Sequence, residues 1–221
     1  MKRYEVTITG NTPILMHWDN IEWADDMDRW KTDPENKKGS KAGDDRSPAW
    51  RWIGSMYHDG TFAAIPADNL MRCLMEGGAM VPVPGGKSGK TFKSQSQSGM
   101  MVNEPYWPIA TGDGGMVPMS EINALLKQED FAEHKRKAEE LGFCLHVKRA
   151  KIGASKHIRV RPKFDRWSCI GTLSVWDEQI TERVLTDILR YAGRYKGLGD
   201  WRPGGKTPGS FGMFEASVKQ I

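Results

Sequence analysis

The sequence predicts an α+β fold with a mainly antiparallel sheet, on three observations. "RYEVTITG" alternates Tyr4, Val6 and Ile8 against Glu5, Thr7 and Thr9, the period of a half-buried strand. "ITERVLTDILRYAG" places Val184, Leu185, Ile188, Leu189 and Ala192 on one stripe of an amphipathic helix. The order along the chain is strand, insertion, strand, helix, basic loop, helix, strands, helix, strand, with no regular βα alternation. That order is compatible with a ferredoxin-like core carrying large loop insertions, in a single domain over 1–221.

After the first strand, "NTPILMHW" reads as a bent, mostly apolar continuation. Residues 19–47 change character. They are rich in acids with Gly, Pro, Asn and Ser, and read as a polar insertion with one short helix around "EWADDMDRW". "GTFAAIP" is a strand, and "ADNLMRCLMEGGAM" is a helix capped by Asp68 and stopped at Gly77. Residues 80–118 contain "VPVPGGKSGKTFKSQSQSGMMVNEPYWPI", with no acid between Val81 and Asn103, and read as a basic Gly/Ser/Gln-rich loop insertion closing into a short strand. "MSEINALLKQEDFAEHKRKAEELG" offers one or two helices, with Ser120 as a cap and Gly142 as the end. "FCLHVKRAKIG" and "HIRVRPKFDRWSCIGTLSVWD" are the longest strand material. Thr181 caps the last helix and Gly193 ends it; a glycine loop and the strand "FGMFEASV" close the chain.

Bulk properties narrow the class. A chain of 221 residues with 38% hydrophobic residues can build a core, and its net charge of +4 is too mild to announce a polyanionic partner by itself. Cys73, Cys144 and Cys169 are far apart and form no CxxC pair, which argues against disulfides and structural zinc and suits a reducing compartment. No signal peptide is read at the N-terminus and no apolar run approaches membrane-spanning length. The expectation is a cytoplasmic protein with no cofactor, no metal and no membrane partner.

"PGGKSGKT" resembles a phosphate-binding P-loop, but Pro84 stands where the first glycine is needed and "VPVP" is a poor central strand. A basic loop touching phosphates through Lys87, Lys90 and Lys93 explains the same residues with fewer demands. The five histidines are scattered, and no Ser/His/Asp or Cys/His order forces an enzyme. The nine tryptophans include several beside charge, as in Trp50-Arg51-Trp52 and Trp201-Arg202. Core packing is the usual fate of such residues; aromatic planes interleaved with cations also suit single-stranded nucleic acid.

Two stretches concentrate that chemistry. From Lys148 to Arg166 there are eight Lys/Arg, including Lys148, Arg149, Lys151, Lys156, Arg159, Arg161 and Lys163, against the single acid Asp165. On "HIRVRPKF", Arg159, Arg161 and Lys163 share one face of a strand while Ile158, Val160 and Phe164 share the other. Like charges two residues apart repel, so such a face predicts a polyanion between them. "GLGDWRPGGKTPGSFGMF" holds six glycines in eighteen residues, and backbone without Cβ atoms lets amides approach phosphates closely. Gly197, Gly199, Trp201, Arg202 and Lys206 are its binding candidates.

Three stretches in register resemble the RAMP superfamily, the RNA-binding proteins of CRISPR effector complexes and their processing nucleases. They are "YEVTITGNTPILM"; "AAIPADNLMRCLMEG", with Ile65, Pro66, Leu70 and Arg72 in matching positions; and "YKGLGDWRPGGKTPGSFGMF", with Gly197, Gly199, Arg202, Gly209, Gly212 and Phe214 matching. Ala67, Asp68 and the inserted "GGKTP" depart from that pattern. The sequence also resembles proteins of tailed bacteriophages and prophages. The resemblance implies an RRM-like (ferredoxin-like) fold whose glycine loop contacts RNA backbone, hence a binder of single-stranded RNA or DNA, RNA being favoured, and a possible strand-coating homo-oligomer. Two alternatives stay open. One is a metal-independent endoribonuclease using His17 or an acid of the following loop such as Asp26. The other is a phage-encoded interaction protein that mimics a CRISPR effector subunit.

Overall fold

The computed structural model describes residues 1–36, 43–86, 89–152 and 155–221. In chain order the elements are β1 (Lys2–Gly10), β2 (Ile14–Leu15), α1 (Ile21–Thr32), a 3-10 turn (Arg51–Ser55), β3 (Ala64–Pro66), α2 (Ala67–Gly78) and α3 (Lys93–Ser98). There follow β4 (Met100–Val102), β5 (Tyr106–Thr111), α4 (Met119–Asn123), α5 (Phe131–Glu140), β6 (Cys144–Ile152), β7 (Ser155–Phe164), β8 (Trp167–Val175), α6 (Glu182–Tyr191), a π-helical turn (Ala192–Lys196) and β9 (Phe214–Gln220). The class is α+β with antiparallel sheets.

β1 buries Tyr4, Val6 and Ile8, as its alternation dictates, because it lies in mid-sheet with β8 on one side and β9 on the other, antiparallel to both. The far edge of β8 carries two strands end to end: β4 along Leu173–Val175 and β5 along Trp167–Cys169, with β3 outside β5. The path is β3-β5-β8-β1-β9. The stripes Leu70, Cys73, Leu74 of α2 and Leu185, Ile188, Leu189 of α6 join the buried residues of β1 and β8 in one core. A second sheet, β2-β7-β6, is where the bent continuation of β1 goes: the chain turns at residues 11–13, and β2 pairs with the end of β7.

Two segments assigned to insertions are structured. In 19–47, Asn20 caps α1 by accepting from the Trp23 amide at 3.2 Å, Met27 is buried, and Trp23 meets Trp50 edge to face at 5.5 Å. Further on, the Asp45 amide donates to the Ile158 carbonyl at 3.0 Å, so this segment docks on β7. Segment 80–118 is not a loop insertion. It supplies α3, β4 and β5, and Trp107, Ile109 and Thr111 of β5 face the core. The short strand expected at its end is present; the polar run before it conceals α3 and the second strand.

The helix signals need smaller corrections. Thr181 caps α6, accepting from the Val184 amide at 3.3 Å. α2 begins at Ala67 with Asp68 inside its first turn, where the carboxylate suits the helix dipole. Asp130, not Ser120, makes the side-chain cap of the α4–α5 region. Gly193 does not end the last helix. The chain winds on through the π-helical turn, closed by the Gly197 amide on the Ala192 carbonyl at 2.9 Å. Among the described residues, no helix is long and apolar enough to cross a membrane.

Candidate nucleic-acid interface

The glycine loop, Gly197 to Phe214, is folded onto the turn between β1 and β2. The Gly212 amide donates to the Pro13 carbonyl at 2.7 Å, the Leu198 amide to Gly212 at 2.9 Å and the Asp200 amide to Leu15 at 2.8 Å. A Cβ at Gly199 would lie 2.3 Å from the Leu15 carbonyl oxygen, and one at Gly212 1.8 Å from that of Leu198. Both positions also have positive φ. At these two places glycine serves backbone-on-backbone packing, which replaces the expectation that the loop's amides are free for phosphates. Trp201 is held at a φ of 51°, a strained setting for a bulky residue; its amide donates to its neighbour Asp200 and its ring stacks on Phe211 at 5.7 Å.

The loop faces the β6–β7 hairpin. In its register His146 lies opposite Arg161, Lys148 opposite Arg159 and Cys144 opposite Lys163, so these side chains share one face. Arg149, Lys151 and Lys156 fall on the opposite face, with Lys151 directly across from Lys156. The basic stretch is therefore divided between two faces. Its charges are also partly neutralised from within the protein: Asp45, almost fully buried, accepts from Arg159 at 3.0 Å, Arg161 at 3.3 Å and the Val160 amide at 3.4 Å, and lies 3.6 Å from Arg51. Lys163 pairs with Asp165 at 2.9 Å, and Arg202 with Glu76 of α2 at 3.0 Å. No polyanion is needed to separate Arg159, Arg161 and Lys163, because Asp45, distant in sequence, and Asp165, two residues on, already do so.

Lys148 is held differently and keeps its charge. Its ammonium sits 3.2 Å from the centroid of the Trp201 ring, a cation–π contact that joins hairpin to loop. Between these two walls lies a groove of about 590 Å³, lined among others by His146, Lys148, Arg149, Trp201, Arg202 and Lys206. Among the described residues Lys148, Arg149 and Lys206 make no ion pair and are exposed. The chain matches no protein-family model and no curated protein.

Not every candidate reaches the groove. Gly199 lines it, while Gly197 is buried at the end of the π-helical turn. Lys90 and Lys93 are not among its lining residues: Lys90 belongs to a turn closed by the Val83 amide on its carbonyl, and Lys93 opens α3. Lys87 lies outside the described residues. Lys151 and Lys156 project from the hairpin tip beyond the groove lining.

His17 borders a separate cavity of about 240 Å³ that shares Arg159 and Arg161 with the groove. Its Nε2 is 3.1 Å from an Arg161 nitrogen and its Nδ1 3.6 Å from Asp200. Asp26 is not brought beside it; this carboxylate pairs with Arg29 on the exposed side of α1, at 3.0 Å. No group of three or more His, Cys, Asp or Glu among the described residues is placed to hold a metal ion. Trp50, Trp52, Trp107 and Trp167 are core residues.

Four groups escaped the sequence reading: Asp45, His146, Asp200 and Phe211. Asp45 and Asp200 were invisible because their cationic partners are distant in sequence. His146 alternates with Lys148 on β6, a signal that was present. Burial and then the nearby Lys163 and Lys148 push its imidazole below the ordinary 6.5, as burial and then Arg161 do for His17. Both rings are thus neutral in the fold when the unfolded chain begins to take up protons. Stability therefore falls as pH drops below about 6.5. The melting temperature is expected to decrease from about pH 7 to about pH 5.5, and His146→Gln to flatten that decrease. A profile that His146→Gln leaves unchanged would place the proton uptake elsewhere.

Proposed function

We propose that this chain binds single-stranded nucleic acid, RNA in preference to DNA, in the groove between the glycine loop and the β6–β7 hairpin. The observation that carries this reading is the Lys148–Trp201 contact at the meeting of the two walls, with Lys206 unpaired in the same groove. Exposed cations supply phosphate attraction without base identity. Trp201, already backed by Phe211, offers an aromatic plane to a base once Lys148 swings from the ring to a phosphate. A strained Trp201 backbone is the kind of feature that persists at binding sites.

The run β9-β1-β8-β5, antiparallel throughout and crossed over by α2 and α6, supports a ferredoxin-like (RRM-like) core, and with it the RAMP-like reading of the three matching stretches. Preference for RNA rests on that resemblance. Fold kinship alone does not assign function, so the groove chemistry bears the weight.

The test is fluorescence anisotropy of a labelled oligonucleotide across a salt series. With two phosphates neutralised by Lys148 and Lys206, log affinity should fall with log salt at a slope of about −1.4, since each contact contributes about −0.7 on a single strand. Lys148→Ala and Lys206→Ala should each make the slope shallower by about 0.7. Affinity that is insensitive to salt, or to both substitutions, rules the groove out.

A further inference from the structure

We infer that a strand leaving the groove continues over a tyrosine–arginine ladder on α6 and the π-helical turn, a second contact surface for two or three further nucleotides. This extends the reading above and rests on it. Arg190 and Tyr191 end α6, and Arg194 and Tyr195 follow four residues later in the widened turn. The two tyrosine rings lie 5.7 Å apart, tilted by 31°. The Arg190 guanidinium is 5.4 Å from the Tyr191 ring, and that of Arg194 5.8 Å from the Tyr195 ring. Together the four side chains line a concavity of about 230 Å³.

A purely structural ladder would be covered. This one has Tyr195 46% exposed, and Arg194 is exposed too, with no ion pair among the described residues; Arg190 is held by Asp187 at 2.8 Å. Neighbouring rings flanked by guanidiniums offer planes to bases and charge to phosphates at once.

Continuity points to the same occupant as the groove. The Lys196 carbonyl, next after Tyr195, accepts from Arg202 at 3.2 Å and from the Gly204 amide at 3.0 Å. The loop wall of the groove therefore lies directly on the end of the ladder. From Arg190 to Lys196 the backbone advances about 9 Å at about 1.5 Å per residue. That is room for two or three bases at about 3.4 Å each.

Anisotropy with labelled oligonucleotides of about 6 and about 20 nucleotides separates the two surfaces, given single-fold site sizes of about 4–16. The wild-type protein should bind the long strand more tightly. Tyr195→Ala, at an exposed position that does not threaten folding, should weaken the long strand about tenfold and leave the short one unchanged. Tyr195→Trp should keep long-strand affinity. Equal weakening at both lengths, no weakening, or a changed oligomeric state by size exclusion would each overturn the ladder while leaving the groove standing. A wild-type protein that binds neither strand removes the groove and the ladder with it.

Discussion

Gly212→Ala is expected to cost about 4 kcal/mol of folding stability, among the largest effects a single methyl group can have here. Two contributions add. The backbone sits at a φ of +70°, where an L-residue pays about 1–2 kcal/mol. The new Cβ would also lie 1.8 Å from the Leu198 carbonyl oxygen, a backbone atom that cannot rotate away. Relief requires the loop to part, breaking the Leu198–Gly212 and Gly212–Pro13 hydrogen bonds at about 1 kcal/mol each. Gly114→Ala is the control. Its φ of +86° imposes a similar backbone strain, but its Cβ would meet nothing within 4 Å, so about 1 kcal/mol is expected. Urea denaturation of both variants checks this; equal losses would show that crowding at Gly212 is not the cause. Because the loop forms one wall of the groove, Gly212→Ala should also weaken oligonucleotide binding.

Asp45→Ala is expected to destabilise by about 3 kcal/mol, since removing one partner of a buried ion pair leaves uncompensated charge behind. The Asp45 side chain is only 4% exposed and serves Arg159, Arg161, Arg51 and the Val160 amide. Without it, the carboxylate left to Arg161 among the described residues is Asp200, at the longer distance of 3.7 Å. Arg51 and Arg159 are partly hydrated, which keeps the figure at the low end for a buried pair. Asp200→Ala, at a carboxylate 40% exposed, should cost under about 1 kcal/mol. Chemical denaturation separates the two cases, and a loss below about 1 kcal/mol for Asp45→Ala would mean that solvent already neutralises the arginines. Releasing Arg159 and Arg161 should also steepen the salt dependence of binding, because two more cations border the groove.

The alternation of β1 and the stripe of α6 were legible because a residue's burial there follows from its own spacing to its neighbours. The cap at Thr181 was legible for the same reason, being a contact across three residues. Of β4 and β5 only one short strand was legible: the polar approach looks like loop until β8 pairs with both segments. The π-helical turn was concealed too, because Gly193 reads locally as a stop. Both misses arise where tertiary packing overrides a local preference.

The groove divides in the same way. Local sequence determined that a basic hairpin and a glycine-rich segment exist, and that Arg159, Arg161 and Lys163 point to one side of β7. Only the tertiary structure decided which of those cations remain available. Asp45 and Glu76 reach Arg159, Arg161 and Arg202 across separations of more than a hundred residues, and take them out of the exposed set. Lys148 ends over Trp201 by the same long-range logic. Spacing along a strand dictates direction, because side chains alternate; it carries no information about which distant carboxylate or ring folds against them.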